Sequence, residues 1–282
     1  MRAVVPRMRI LMLTLMSIAT AAEADAQSIL QTFWSDLTTV PGDAWHVYSA
    51  PARIGSDDLP ALAAFTGGTL LIAANDAAIQ DWVRDHPGTV AVEVLEPFRS
   101  EHRLLSELGR NHKIMRGVAA GYVVGLITGW DWLREASFGC AVGNATNALV
   151  RSGVYRVVAR KRPAGETDPY QFGFPGGEWE DHSFFGGHGA NAFTCASFIA
   201  HRWDLGYAEP VVWALASGVA LARIPDEAHW ASDAVVGIGF GWIVGRMIAD
   251  RYLERDRASE DPASPDPAGA AGDHIDPSLD LG

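Results

Sequence analysis

The stretch 222–250, ARIPDEAHWASDAVVGIGFGWIVGRMIAD, decides how the chain is read. It opens with Arg223, breaks at Pro225, and sets His229 and Asp233 four residues apart just before an uncharged run, 234–245. Small and apolar residues continue without a turn signal, which predicts a helix over 231–252. Side chains four apart on a helix share a face, with about 5–6 Å between Cβ atoms, so His229 and Asp233 are expected to hydrogen-bond. Gly237, Gly241 and Gly245 recur at the same spacing and predict a small-residue face for close packing. No strand precedes Gly237-Ile238-Gly239, so it does not read as a nucleotide fingerprint.

Working outward, segments of the same kind lie at 58–85, 101–130, 132–160, 187–202 and 210–222. They predict an all-α, compact helical bundle. Uncharged stretches at 117–130 and 136–150 are interrupted by Gly, Asn and Thr and fall short of the ~20 residues of a membrane span, so a soluble bundle with a wide buried interior fits them better. Residues 89–94 alternate like a short strand, and 28–57, with Pro41-Gly42, Pro51 and Gly55-Ser56, are expected to form loops around a short helix.

The length of 282 residues, with 48% of them hydrophobic, suits one domain plus tails, expected over 27–253. Residues 1–26 combine Arg2, Arg7 and Arg9, an apolar run and Ala24-Asp25-Ala26; they read as a secretory signal peptide cut after Ala26, ahead of an uncleaved membrane anchor. The periplasm or the medium is the expected destination. From 254 to 282 the chain is acidic and rich in Pro, Ala and Gly, the composition of a disordered tail.

The net charge is −12, and loss of a leader with three Arg and two acids leaves −13. Such a surface excludes nucleic acid and anionic headgroups as bulk partners, so any anion site has to be a local cluster of arginines. Cys140 and Cys195 are the only cysteines; an exported compartment permits one bridge, and two buried thiols fit equally well.

Three segments place polar groups where a bundle interior does not want them. Arg160-Lys161-Arg162-Pro163 closes one predicted helix. Gly186-Gly187-His188-Gly189 opens the next; bare amides and the positive end of a helix suit a phosphate oxygen there, with His188 placed to protonate a leaving group. The third holds Arg223, His229 and Asp233. Spacing among His182, His188 and His229 offers no tight ligand pair, and no metal is expected.

In order and spacing these segments resemble the signature of the type 2 phosphatidic acid phosphatase superfamily, which includes class A acid phosphatases, lipid phosphate phosphatases and vanadium haloperoxidases. That signature runs Lys, six residues, Arg-Pro; Pro-Ser-Gly-His; and Ser-Arg, five residues, His, three residues, Asp. Arg162-Pro163, Gly187-His188 and Arg223 with His229 and Asp233 match it, and 21 residues (164–184) and 33 residues (189–221) separate the three motif positions. The resemblance implies a helical core of the acid phosphatase/vanadium-dependent haloperoxidase type, with His229 as nucleophile, Asp233 orienting it, and His188 as acid. It implies Arg162, Arg223 and the amide of Gly187 as phosphate binders, with no cofactor and with vanadate as an inhibitor or alternative cofactor. The implied partner is a phosphorylated small molecule or a lipid or isoprenoid phosphate, with contact to a membrane surface.

The departures are specific. Tyr155 stands where the signature has Lys, with Arg156 about 100° round the helix; Phe185-Gly186 replaces Pro-Ser, and Ala222 replaces Ser. A charged hydrogen bond contributes about 1.5–3 kcal/mol, so the cradle needs another donor. Tyr155, Arg156, Arg160, Lys161 and Gly186 are the accessory candidates. Retained histidines and arginines favour a metal-independent phosphatase; a non-catalytic oxyanion-binding descendant and a vanadate-dependent haloperoxidase are the alternatives.

Overall fold

A computed structural model describes residues 4–100, 105, 107–164, 168–173 and 182–260. The helices are α1 (Val4–Tyr48), α2 (Leu59–Ala73), α3 (Asp76–Asp85), α4 (Val90–Glu93), α5 (Asn111–Thr128), α6 (Asp131–Val158), α7 (Gly187–Arg202), α8 (Glu209–Leu221) and α9 (Ala231–Glu260). Among the described residues no strand is formed beyond one isolated bridge between Arg160 and Phe172. The all-α expectation holds.

The centre of the fold is the pairing of α7 with α9. A Cβ added at Gly237, Gly241 or Gly245 would collide with the carbonyl oxygen of Gly186, Ala190 or Thr194 respectively, so the predicted glycine face seats α9 directly on the α7 backbone. Phe198 of α7 then packs with Val142 of α6 and with Val244, Ile248 and Tyr252 of α9. A second cluster, with Phe193, Ala196, Val219 and Ala220, joins α7 to α8. The cysteines are bonded, Cys140 of α6 to Cys195 of α7, with 4.8 Å between Cα atoms.

Three local expectations are corrected. Residues 28–48 continue α1 instead of looping, despite Pro41. Asp36, Val40, Asp43 and Val47 are spaced four, three and four, one helical face, and tertiary partners hold that face down. Arg134 Nη1 pairs with Asp36 at 2.5 Å, Arg255 with Asp43 at 2.7 Å, and Val40 and Val47 enter the core. The stretch 89–94 holds α4 rather than a strand, with Thr89 as its extended N-cap; no neighbouring strand exists among the described residues to satisfy its backbone. Finally, α9 runs through Glu260, past the expected start of the tail at 254. Arg255 on Asp43 and Arg202 on Asp256, both at 2.7 Å, explain the extra turns. By length and composition α9 could cross a membrane, but half of that window is buried inside the bundle.

Candidate active site

After α6, Ala159 adopts a left-handed conformation (φ 44°) at a fully buried position, and the chain turns back with Arg160 aimed inward. Glu227, also left-handed (φ 54°), bends the loop that leads to His229. Arg84 of α3 ties the two loops together: its Nε pairs with Glu227 at 2.6 Å and its Nη2 donates to the Pro163 carbonyl at 3.0 Å. Trp230, buried, donates its indole N–H to the Lys161 carbonyl at 2.8 Å. All three segments singled out in the sequence therefore meet at the start of α7.

His229 is 2% exposed, and its Nδ1 lies 2.7 Å from the Ser183 carbonyl. A carbonyl only accepts, so Nδ1 carries the proton and Nε2 keeps its lone pair. Burial first, then the charge of Arg162, holds His229 well below the usual histidine range. The ring is neutral at pH 7, as a nitrogen nucleophile requires.

The expected His229–Asp233 bond is not formed. His229 precedes the first helical residue, Ala231, so the one-face rule for helices does not reach it. Asp233 instead occupies the third helical position and accepts the Trp230 amide at 3.3 Å, half of a capping box. Its other partners are Arg160 Nη1 and Ser183 Oγ, each at 2.5 Å. Asp233 thus reaches His229 through Ser183, whose hydroxyl donates to the carboxylate while its carbonyl accepts from the imidazole. Burial pushes the Asp233 carboxyl up to about 6, against the opposing pull of Arg160.

Arg160 is not a spare phosphate donor. It bridges Asp233 and Asp76, the latter at 2.8 Å, and donates to Ser232 Oγ and the Pro169 carbonyl. Arg156 is exposed and turned to the Ser152 carbonyl, away from the site. The Tyr155 hydroxyl donates to the Phe185 carbonyl at 3.4 Å while its ring stacks on His182. Gly186 gives its amide to the Asp233 carbonyl at 2.8 Å. Tyr155, Arg160 and Gly186 thus make contacts within the protein, and a Cβ at Gly186 would lie 3.0 Å from that carbonyl oxygen.

What surrounds the histidines is arginine. The two imidazole centroids are 6.5 Å apart, and His188 is lowered to about 3 by burial and by Arg223, Arg110, Arg151 and Arg162. Arg162 donates to the His182 carbonyl at 3.3 Å. Arg223, 2% exposed, uses its terminal nitrogens on Phe98 O, Ser100 Oγ and Asp226, while its Nε and the Nε2 of His188 are buried without a protein partner. At the start of α7 the amides of Gly187, His188 and Gly189 have no intrahelical acceptor. Four cations, a helix N-terminus and two neutral imidazoles make this a candidate oxyanion site.

The sequence reading missed Ser183, Asp76, Arg110 and Arg151. Of these only Arg151 had a legible signal, since it lies four residues before Tyr155 and so on the same helical face.

Residues 137–256 match the model of the PAP2 superfamily, the type 2 phosphatidic acid phosphatase superfamily that the three motifs resemble and whose members are generally phosphatases. The match contains Arg162, His188, Arg223, His229 and Asp233. No curated protein and no solved structure matches the chain.

Proposed function

We propose that the protein is an exported, metal-independent phosphatase that hydrolyses phosphate monoesters, including lipid or isoprenoid phosphates, through a phosphohistidine at His229. The observation that carries this reading is the neutral imidazole of His229, whose Nδ1 is fixed by the Ser183 carbonyl so that Nε2 keeps its lone pair, with Arg162 and Arg223 close enough to act on it. Nε2 attacks phosphorus, the ester P–O bond breaks, and the leaving oxygen takes a proton from His188. Water then attacks the N–P bond, gives a proton to His188, and frees His229 and inorganic phosphate. Arg162, Arg223 and the first amides of α7 stabilise the charge on the non-bridging oxygens.

His188 at about 3 holds no proton near neutrality in the free protein. Burial is the first cause of that low value and the arginines the second, so the negative charge of a bound phosphate raises it only by countering the second.

A groove of about 570 Å³ supports an apolar leaving group. Leu108, Ile114, Val118, Leu133, Ala192 and Val219 line it, and Gly109, the residue after Leu108, packs against both Val219 and His188. The exposed apolar side chains of α2, among them Leu62, Phe65 and Leu71, support contact with a membrane surface. The Cys140–Cys195 bond supports export, because such bonds persist in oxidising compartments.

Trapping of labelled phosphoenzyme tests the reading. Acid-labile label is expected on the wild type and none on His229→Ala; label that persists in the variant removes the proposed nucleophile. Phosphate binding without turnover on any monoester, diphosphate or lipid phosphate would favour the oxyanion-binding alternative. Among alkyl phosphates, kcat/KM is expected to rise with chain length until the groove is filled, and a flat series removes the lipid branch.

A further inference from the structure

We propose that Arg151 is a phosphate-binding residue, supplying from one helical turn earlier the positive charge that Tyr155 does not. The inference rests on the phosphate site described above. Arg151 Nη1 donates to the Gly187 carbonyl at 3.2 Å and to Asn191 Oδ1 at 3.0 Å. A Cβ at Gly187 would lie 3.0 Å from Nη1 and 3.1 Å from both Cζ and Nε, so the guanidinium rests on the first residue of α7 and depends on the absence of a side chain there. The cation also lies 5.9 Å from the centre of the Tyr155 ring. Tyr155 thus fills the position of the missing lysine while flanking the group that replaces it.

The arm is held before any ligand arrives. Asn191, buried, donates to the Gly109 carbonyl at 3.0 Å and accepts from Asn147 at 3.2 Å as well as from Arg151. The neighbours of Arg151 differ from those of the two buried arginines. Arg160 is matched by two carboxylates and Arg223 by Asp226, whereas the hydrogen bonds of Arg151 end on neutral oxygens. A cation packed at the positive end of a helix is unfavourable unless an anion joins it. The cation acts electrostatically on His188, whose Nε2 has no protein partner, and rests on the residue that opens α7, so the groups that would share such an anion belong to one end of the helix.

Arg151→Gln and Arg151→Met keep the unbranched stem, and Gln also keeps a donor for Asn191; Arg151→Lys keeps the charge. Calorimetry with inorganic phosphate and with vanadate reads binding without turnover, and kcat and KM for 4-nitrophenyl phosphate are measured beside it. Loss of a charged contact predicts about 10–100-fold weaker phosphate binding in Gln and Met, and Lys within about fivefold of wild type. Gln or Met binding within about twofold of wild type, or Gln equal to Lys, would overturn the proposal. On the wild type, phosphate should shield Arg151 from phenylglyoxal; equal modification with and without phosphate would overturn it even if the variants fail to fold. Arg151-dependent phosphate binding by a protein that never turns over would sink the phosphatase reading and leave this inference standing. Turnover indifferent to Arg151→Gln would do the reverse.

Discussion

At the scale of single residues, Asp233 separates structure from chemistry most sharply. Were it bound to His229, Asp233→Asn would slow turnover in a stable protein. Here it faces Arg160 in a site closed to water, and its neutralisation leaves a buried cation short of one carboxylate. Breaking such a pair costs about 3–5 kcal/mol, so Asp233→Asn is expected to lower the denaturation midpoint strongly, and a variant as stable as wild type would refute the ion-pair role. The histidines set a pH dependence. His188 and His229 have folded-state values below the unfolded one, so their contribution is present above about 6.5 and is lost as pH falls. Asp233, raised from 3.8 to about 6, acts oppositely and favours the fold at low pH. Two histidines against one carboxyl predict falling stability from pH 7 to pH 4.5, with a shallower fall in His188→Gln, checked by urea denaturation across that range. The histidines, Asp233 and two of the arginines were legible because motif spacing survives in sequence. Ser183 was not, since it acts through a backbone carbonyl that any residue supplies, and the capping of α9 by Asp233 required knowing where that helix begins.

Among elements, α6, α7 and α8 were read nearly to their ends, because Gly and charged residues punctuate them. The misreadings fall where tertiary contacts outweigh local signals. Pro41-Gly42 reads as a turn, yet one face of α1 is pinned by Asp36 and Asp43 to arginines more than 90 residues away in sequence. Charge reversal at one anchor tests this: Asp43→Arg should detach α1, seen as faster amide exchange over 36–48, while α7 and α9 remain protected. The loops have their own brace in Arg84. Arg84→Ala frees Glu227 and Pro163 together, so KM is expected to rise and kcat to fall about tenfold with little change in melting temperature. If both constants stayed within twofold, the brace would be irrelevant to catalysis.

For the whole molecule, the sequence told that one helical domain would form but not which helices touch. The state of the cysteines was open until α6 and α7 were seen side by side. Their bond closes a loop of 55 residues that contains Arg160, Arg162 and His188. Loss of a bridge of that span costs about 4 kcal/mol in the chain-entropy model, so Cys140→Ser/Cys195→Ser should melt well below wild type; equal melting temperatures would show the bond to be dispensable. The seating of α9 on α7 has a further, mechanical consequence. Three carbonyl oxygens resting over three glycines act as notches cut every four residues, about 6 Å apart along the helix. A small slide disengages every notch together, and the next rest lies four residues away. The distance between His188 and His229 is therefore indexed rather than adjustable, leaving accommodation of different substrates to the groove and the arginine loops.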